Sequence, residues 1–273
     1  MDSRLQKRVQ RYGWDRASED YARYWQAQLE PVQTRLLEVA DLQAGEKLLD
    51  VACGDGLVSF RASEAVGPSG MVSGDDISEE MIRRAEALRL ERGVENLRFR
   101  RRDAEASVDA ETYYDIALCA LGLMYLPEPE RALGAMFEAL RPGGRAVAAV
   151  WGARRNCGWA EVFPIVDARV KSEVCPLFFR LGTGAALETD FKAAGFSDVS
   201  SERLSYDLSF KTAEQACGAA LIGGPVALAY SRFDDETRDA ARAEYLASIE
   251  SYRHGESYEI PGEFVITRGS AAS

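Results

Sequence analysis

Residues 48–56 read Leu48-Leu49-Asp50-Val51-Ala52-Cys53-Gly54-Asp55-Gly56, and this stretch constrains the fold more than any other. An apolar run ends in an acid and breaks into a glycine turn. The pattern after it, Leu57–Val66, is helical. A strand–turn–helix of this kind points backbone N–H groups at a ligand, and Gly54 and Gly56 let the chain approach it closely because neither has a Cβ.

The rhythm continues downstream. Strands are expected at 47–51, 71–74, 97–101, 114–119 and 145–151, with helices at 57–66, about 79–92 and 129–140 between them. Ser78 is placed to N-cap the second of these helices, with Glu79 and Glu80 in its first turn and Gly93 at its end. Alternation of strands with helices of this length implies βαβ units and a mostly parallel sheet. Before residue 46 the chain reads as helices. Tyr21, Tyr24, Trp25 and Leu29 share one face, and Pro31 is expected to open a second helix carrying Val32, Leu36 and Val39. After Trp151 the expectation is helices at 159–170 and 185–194, a strand at 199–210, helix across 212–254, a last strand at 263–267 and a frayed tail at 269–273. No Pro- or Ser-rich linker interrupts the chain. The division is therefore a helical lid at 1–45, a ligand-binding core at 46–152, and the rest of the same domain at 153–273 with helical cap segments at 153–183 and 211–254.

Composition narrows the partners. The net charge of −11 argues against nucleic acid as the partner, since that binding needs clustered Lys and Arg. The basic run Arg98, Arg100, Arg101 and Arg102 reads as a solvated strand edge. Five cysteines without a Cys-x-x-Cys pair fit a reducing compartment, the cytoplasm, and match no metal motif. The apolar stretch 216–229 is too short to span a bilayer and is broken by Gly223-Gly224-Pro225, so no membrane insertion is expected. It suits a lid or a homodimer interface equally.

Four acids are expected near the C-terminal ends of successive strands: Asp50, Asp76, Asp103 and Asp115. In an open parallel sheet, ligands bind outside the C-terminal strand ends at the switch point. Asp76, 20 residues after Gly56, can accept both hydroxyls of a ribose. Asp103 can accept from an adenine amine, and Asp50 can attract a cationic amine. Asp115 is open between a local ion pair and a functional role. A cofactor with an amine, a ribose and an adenine satisfies Asp50, Asp76 and Asp103 together.

With these residues the chain resembles a class I S-adenosylmethionine-dependent methyltransferase, in the group similar to ubiquinone/menaquinone methyltransferases. The matching pieces are Leu49–Gly56, Gly74–Ser78 with Met81, Arg102–Glu105, Asp115–Cys119 and Leu140–Gly144; Leu187–Phe196 resembles the group's post-sheet helix. The resemblance implies an α/β fold: a doubly wound, Rossmann-like, mostly parallel seven-stranded sheet with N-terminal helices and an inserted helical cap. It implies that Asp50, Ala52, Gly54 and Gly56 bracket the methionine part of S-adenosylmethionine. Asp76 would hold the ribose, Ile77 and Met81 would lie against the adenosine, and Asp103 and Ala104 would hold the adenine. Cys119 would offer its carbonyl to the methionine amine. Two positions depart from the group: Asp55 stands where Thr or Ser is usual, and Ala52 where Gly is commoner.

The expected reaction is in-line methyl transfer, governed by alignment, to a small, apolar or aromatic, polyketide-like molecule, with S-adenosylhomocysteine as product. O- or C-methylation is favoured over N. Tyr21, Tyr125 and His254 are the candidate catalytic groups touching substrate, His254 reading also as a solvated residue at a helix end. Tyr12, Trp14, Tyr21, Trp25, Trp151, Trp159, Phe163, Phe178 and Phe179 are available to line the acceptor pocket. Two alternatives remain. One is a nicotinamide-dependent Rossmann oxidoreductase, whose fingerprint wants Gly or Ala where Ser59 stands. The other is a cofactor-binding protein without turnover.

Overall fold

In the computed structural model, which describes residues 3–106, 113–171, 175 and 177–272, helices flank one mixed sheet. Two helices come first, α1 (Ser3–Ala17) and α2 (Tyr21–Ala40). Then β1 (Lys47–Val51), α3 (Leu57–Val66), β2 (Met71–Asp76), α4 (Glu79–Arg92), β3 (Leu97–Arg101), β4 (Tyr114–Ala120), α5 (Pro129–Ala139) and β5 (Leu140–Trp151) alternate. The remainder comprises α6 (Val162–Asp167), α7 (Ala186–Ala193), β6 (Ser197–Phe210), α8 (Ala213–Cys217), α9 (Ala227–Tyr230), α10 (Asp235–Ser248), β7 (Arg253–His254) and β8 (Ser257–Ser270).

The strand order is β3-β2-β1-β4-β5-β8-β6, with the two-residue β7 pairing β8 as a short eighth strand. Strands β1 to β5 are parallel, and β8 runs antiparallel between β5 and β6. The chain winds outward from β1 through β2 to β3, then returns to place β4 on the other side of β1. That reversal creates a crevice above the C-terminal ends of β1 and β4. Strands β1 and β4 are buried along almost their whole length, as expected when helices cover both faces, whereas the edge strand β6 alternates exposed and half-buried residues.

Local signals set the boundaries of the core helices. The Ser78 hydroxyl accepts from the Met81 N–H, and Gly93, in the left-handed region, ends α4. Four expectations fail. Pro31 does not open a helix: α2 runs through it, because Trp25, Leu29, Val32 and Leu36 all bury on one face, and this packing outweighs one lost backbone hydrogen bond. The helix expected at 159–170 shortens to α6. The helical stretch expected at 212–254 breaks into α8, a π-turn at 218–222, α9 and α10, interrupted by Gly223-Gly224-Pro225, and then a 3₁₀ turn at 250–252 and β7. The last strand is 14 residues long rather than five, and it takes in Gly269 and Ser270, expected in the tail; Ser270 pairs with both Arg145 and Ser197. Between two partners β8 finds all its ladder bonds, which short-range patterning does not reveal. Ser273 lies outside the described residues. Among the described residues, no helix is long and apolar enough to cross a membrane.

Candidate functional site

A cavity of about 930 Å³, counted to its open mouth, lies at the reversal point above β1 and β4. Of the residues expected to bind a cofactor, Asp50, Ala52, Gly54, Asp76, Ile77, Met81, Asp103 and Ala104 line it. Gly56 and Cys119 stand behind the wall. Gly56 (φ 89°) turns the chain into α3, and a Cβ there would meet the Phe99 ring at 2.7 Å. Cys119 is fully buried in β4, and Ala120, Leu121 and Gly122 form the wall above it. At Gly54 (φ 58°) no atom lies within 4 Å of where a Cβ would be, so the bare backbone faces open space.

Each acid is held by the turn beside it. Asp76 Oδ2 accepts from the Gly54 N–H at 2.9 Å and Oδ1 from the Ser78 N–H at 2.8 Å. Two fixed backbone donors therefore orient its carboxylate and leave outer lone pairs toward the cavity. Asp50 Oδ2 accepts from the Ser59 hydroxyl at 2.5 Å, while its buried Oδ1 has no partner; neither has Asp55 Oδ1. Burial pushes the Asp50 carboxyl up to about 7, with Asp76 and Asp75 adding repulsion against the Ser59 hydrogen bond. Burial likewise pushes Asp55 and Asp76 up to about 6. Three carboxylates crowd one wall and disfavour one another's charge, and a cationic ligand relieves that.

Asp103 is tethered to α1. Asp103 Oδ1 accepts from the Glu105 N–H at 2.9 Å, and Lys7 of α1 lies 2.8 Å from Asp103 Oδ2 and 2.6 Å from the fully buried Glu105 carboxylate. Asp15 of α1 accepts from the Ser78 hydroxyl at 2.6 Å. The lid thus grips both acid-bearing loops. Asp115 is not in the cavity: it accepts from the Lys47 N–H and pairs with Arg141 at the opposite, N-terminal end of its strand. The basic run lies at the edge strand β3 but is only partly solvated: Arg100 forks onto the buried Asp75, Arg98 reaches the Ser73 hydroxyl, and Arg102 lines the cavity.

Among the candidate catalytic groups, Tyr21 and Tyr125 line the cavity, meeting opposite sides of Trp14 with ring centroids 5.5 and 4.9 Å away. His254 does not: it sits exposed on β7, pairs with Ser257 and lines no part of the cavity. Its helix-end expectation fails with the break in the 212–254 segment. Burial raises the Tyr21 and Tyr125 hydroxyls above the usual phenol value, so both remain protonated at neutral pH.

Beyond this rim lies a second chamber of about 320 Å³, shared through Trp14, Tyr21, Leu121 and Tyr125 and walled by Trp25, Trp151 and Trp159. The three indoles pack edge-on, centroids 4.8 to 5.8 Å apart. Phe163, Phe178 and Phe179 pack behind Trp159 rather than lining the chamber, and Tyr12 is exposed on α1. Lys7 and Gln10 line the cavity without any prior signal in the sequence. Gly122 was findable, as a glycine just past an apolar strand end: a Cβ there would lie 2.5 Å from the Ala52 Cβ.

The comparisons with known proteins agree with this geometry. Residues 42–169 match the methyltransferase domain family. The chain is 33% identical to aklanonic acid methyltransferase DauC of Streptomyces sp. strain C5 over 53% of its own length and 65% of that protein. It is 28% identical to nocamycin O-methyltransferase of Saccharothrix syringae over 82% of its length and 85% of the relative. It is 34% identical to the ubiquinone/menaquinone C-methyltransferase UbiE of Ectopseudomonas oleovorans over 40% and 65%. The first and third matches thus span less than two thirds of those relatives. Among solved structures, a protein of Bacillus halodurans C-125 superposes with a TM-score of 0.60 at 18% identity, covering 88% of this chain and 99% of that one. The [4+2]-cyclase SpnF superposes with 0.57 at 21%, covering 89% and 81%. The fold therefore hosts more than one reaction, and the site has to carry the functional argument. The match of residues 42–169 to the methyltransferase domain family, the acid-walled cavity at the reversal point and the named relatives all liken this chain to the methyltransferases.

Proposed function

We propose that the chain transfers a methyl group from S-adenosylmethionine to a small, apolar or aromatic acceptor, with O- or C-methylation favoured. One observation carries this reading: a cavity walled by cation-seeking carboxylates opens through a ring of aromatic side chains into an apolar chamber.

The residues present fit the cofactor. The unpartnered buried Asp50 Oδ1 suits the ammonium and sulfonium side of the methionine part, and the bare backbone at Gly54 leaves room beside it. Asp76, oriented by two backbone N–H groups, holds the ribose hydroxyls. Ile77 and Met81 give an apolar face for the adenosine, and Asp103 with Ala104 takes the adenine edge. The bound cofactor supplies an electrophilic methyl group. The protein's part is alignment and exclusion of water: Trp14, Tyr21 and Tyr125 close the seam between cavity and chamber. Because both tyrosines stay protonated, neither serves as a general base. The acceptor brings its own nucleophile, a phenolate or enolate oxygen or carbon, and the tyrosine hydroxyls orient it by donation. Relatives that act on aklanonic acid, on nocamycin and on quinone precursors support a polyketide-like or quinone-like acceptor.

The test is turnover. The protein incubated with labelled S-adenosylmethionine and a panel of phenols, quinones and β-diketones is expected to release S-adenosylhomocysteine with at least one of them; cofactor binding without release across the panel would leave a binding protein instead. Replacing Asp76 by Ala is expected to weaken cofactor binding by about 10- to 100-fold, the worth of one or two charge-assisted hydrogen bonds. Unchanged affinity by calorimetry would remove the ribose assignment.

A further inference from the structure

One polar side chain on the inner face of α2 has no use in holding the fold together. The buried residues of that helix are Trp25, Leu29, Val32, Gln33, Leu36 and Ala40, apolar apart from Gln33. Gln33 is 6% exposed, and among the described residues its amide makes no hydrogen bond. Burying an amide without a partner is costly, so a glutamine in this row calls for a reason. Neither amide atom is fully sealed, and Gln33 lines the cavity, so the surface it keeps is open to an occupant. Its place along the cavity follows from its neighbours. Thr34, the next residue, accepts from Arg61 of α3 at 2.8 Å, and α2 packs across β4 and β5. Gln33 therefore stands beside the turn from β1 into α3, where Asp50, Leu57 and Val58 also line the cavity. The Asp103 end lies away from it, past β3 at the far side of β2.

The methionine part of S-adenosylmethionine belongs at this end, and it carries an ammonium, a sulfonium and a carboxylate. Asp50, Asp55 and Asp76 suit the two cations and repel the carboxylate. Among the described residues, the cations lining the cavity are Lys7 and Arg102. Lys7 is paired with Asp103 and Glu105, and Arg102 precedes Asp103 in the chain, so both stand at the other end. The carboxylate thus needs a neutral donor on a wall other than the acidic one, and α2 is such a wall. We propose that Gln33 is that donor: its Nε2 hydrogen-bonds the methionine carboxylate, and the cavity thereby tells S-adenosylmethionine from forms that lack this group. The assignment rests on the S-adenosylmethionine reading of the cavity. A neutral amide suits the position better than lysine or arginine, because a fixed cation there would offset the acids that attract the sulfonium. Discrimination of this kind is steep, because a carboxylate that loses its donor is left unpaired beside three acids.

The experiment measures equilibrium binding to the full chain, without acceptor, of two ligands that differ only in the carboxylate: S-adenosylmethionine and decarboxylated S-adenosylmethionine. Gln33→Met keeps the length of the side chain and removes the donor. It is expected to weaken S-adenosylmethionine by about tenfold or more, as for one hydrogen bond to a charged group, and to leave the decarboxylated ligand within about twofold. The same variant is expected to raise the melting temperature of the ligand-free protein, because methionine completes the apolar row; a glutamine with a structural role would lower it. Gln33→Asn, which stays polar and draws the donor back by one methylene, is expected to show the same selective loss, and it keeps the test valid if methionine repacks the helix. Equal loss of both ligands would overturn the proposal, since Gln33 would then meet a part the ligands share. Unaltered discrimination in both variants would overturn it too and place the carboxylate elsewhere. Wild type that binds neither ligand would overturn the cofactor reading and the Gln33 assignment with it.

Discussion

Two residues beside the site hold a backbone conformation that L side chains rarely adopt. Ala52 (φ 55°) ends β1 and Leu121 (φ 62°) ends β4, so the reversal point is built from left-handed non-glycine residues on adjoining strands. Both line the cofactor cavity. Strain of this kind is retained where surrounding structure over-determines it, and here it turns the chain sharply away so that the cavity can open. Glycine at the first position would remove the strain outright. Ala52→Gly is therefore expected to stabilise the fold by about 0.5–1 kcal/mol, the relief of an αL alanine less the extra freedom of glycine when unfolded. Urea unfolding measures it. A loss of stability would mean that the Cβ contact with Gly122 matters more than the dihedral strain.

Among the elements, α1 makes the most consequential contacts and left the faintest sequence signal. Its sequence gave a helix but not its target. The reason is that a lysine at position 7 is an ordinary surface residue until a carboxylate 96 residues away in sequence meets it. By contrast, the acids and glycines of the core are legible because they are local: strand end, turn and helix start lie within ten residues, and hydrogen bonds such as Ser78 to Met81 follow from that spacing. The cap was legible only as helical because α8, the π-turn and α9 are short and owe their form to Tyr24 and Trp25 packed against Gly218 and Ala219. His254 was misplaced for the same reason, its short strand being set by pairing with Ser257 rather than by any periodicity. Lys7 joins the lid to a buried Glu105. Burial pulls the Lys7 ammonium down, and the hydrogen bonds and charges of Asp103 and Glu105 outweigh that and hold it above its usual value. Lys7→Met would strand the Glu105 carboxylate without its cation, at about 2–3 kcal/mol. The expected outcome is a lower melting temperature with faster amide exchange confined to α1 and the adjoining loops. Exchange unchanged in α1 would show that the lid is held by Asp15 and the aromatic contacts alone.

At the scale of the whole molecule, the distribution of charge predicts how cofactor binding depends on pH. Asp50, Asp55 and Asp76 are held above their usual values, near 7, 6 and 6, with burial the largest cause in each. A carboxyl raised in the folded state favours folding below its unfolded value near 4, and that contribution is lost as pH rises through the folded value, because ionisation then puts charge into a buried wall. The cofactor-free protein should thus lose this contribution between about pH 4 and pH 7. A ligand carrying a sulfonium and an ammonium favours the ionised wall, so its binding must release whatever protons the wall holds. Affinity for S-adenosylmethionine is therefore expected to rise with pH from 5.5 to about 7.5 and then level off, by up to about tenfold per pH unit for each proton released. Calorimetry in buffers of different ionisation enthalpy counts those protons directly. The stabilisation that the cofactor gives in thermal melts should grow over the same interval. Asp50→Asn is the internal control: it takes the highest of the three groups out of the titration, flattening the upper part of the profile, and raises the stability of the cofactor-free protein at pH 8. An affinity independent of pH across this range, with no proton release, would mean that the ionised wall of Asp50, Asp55 and Asp76 is not what the cation meets.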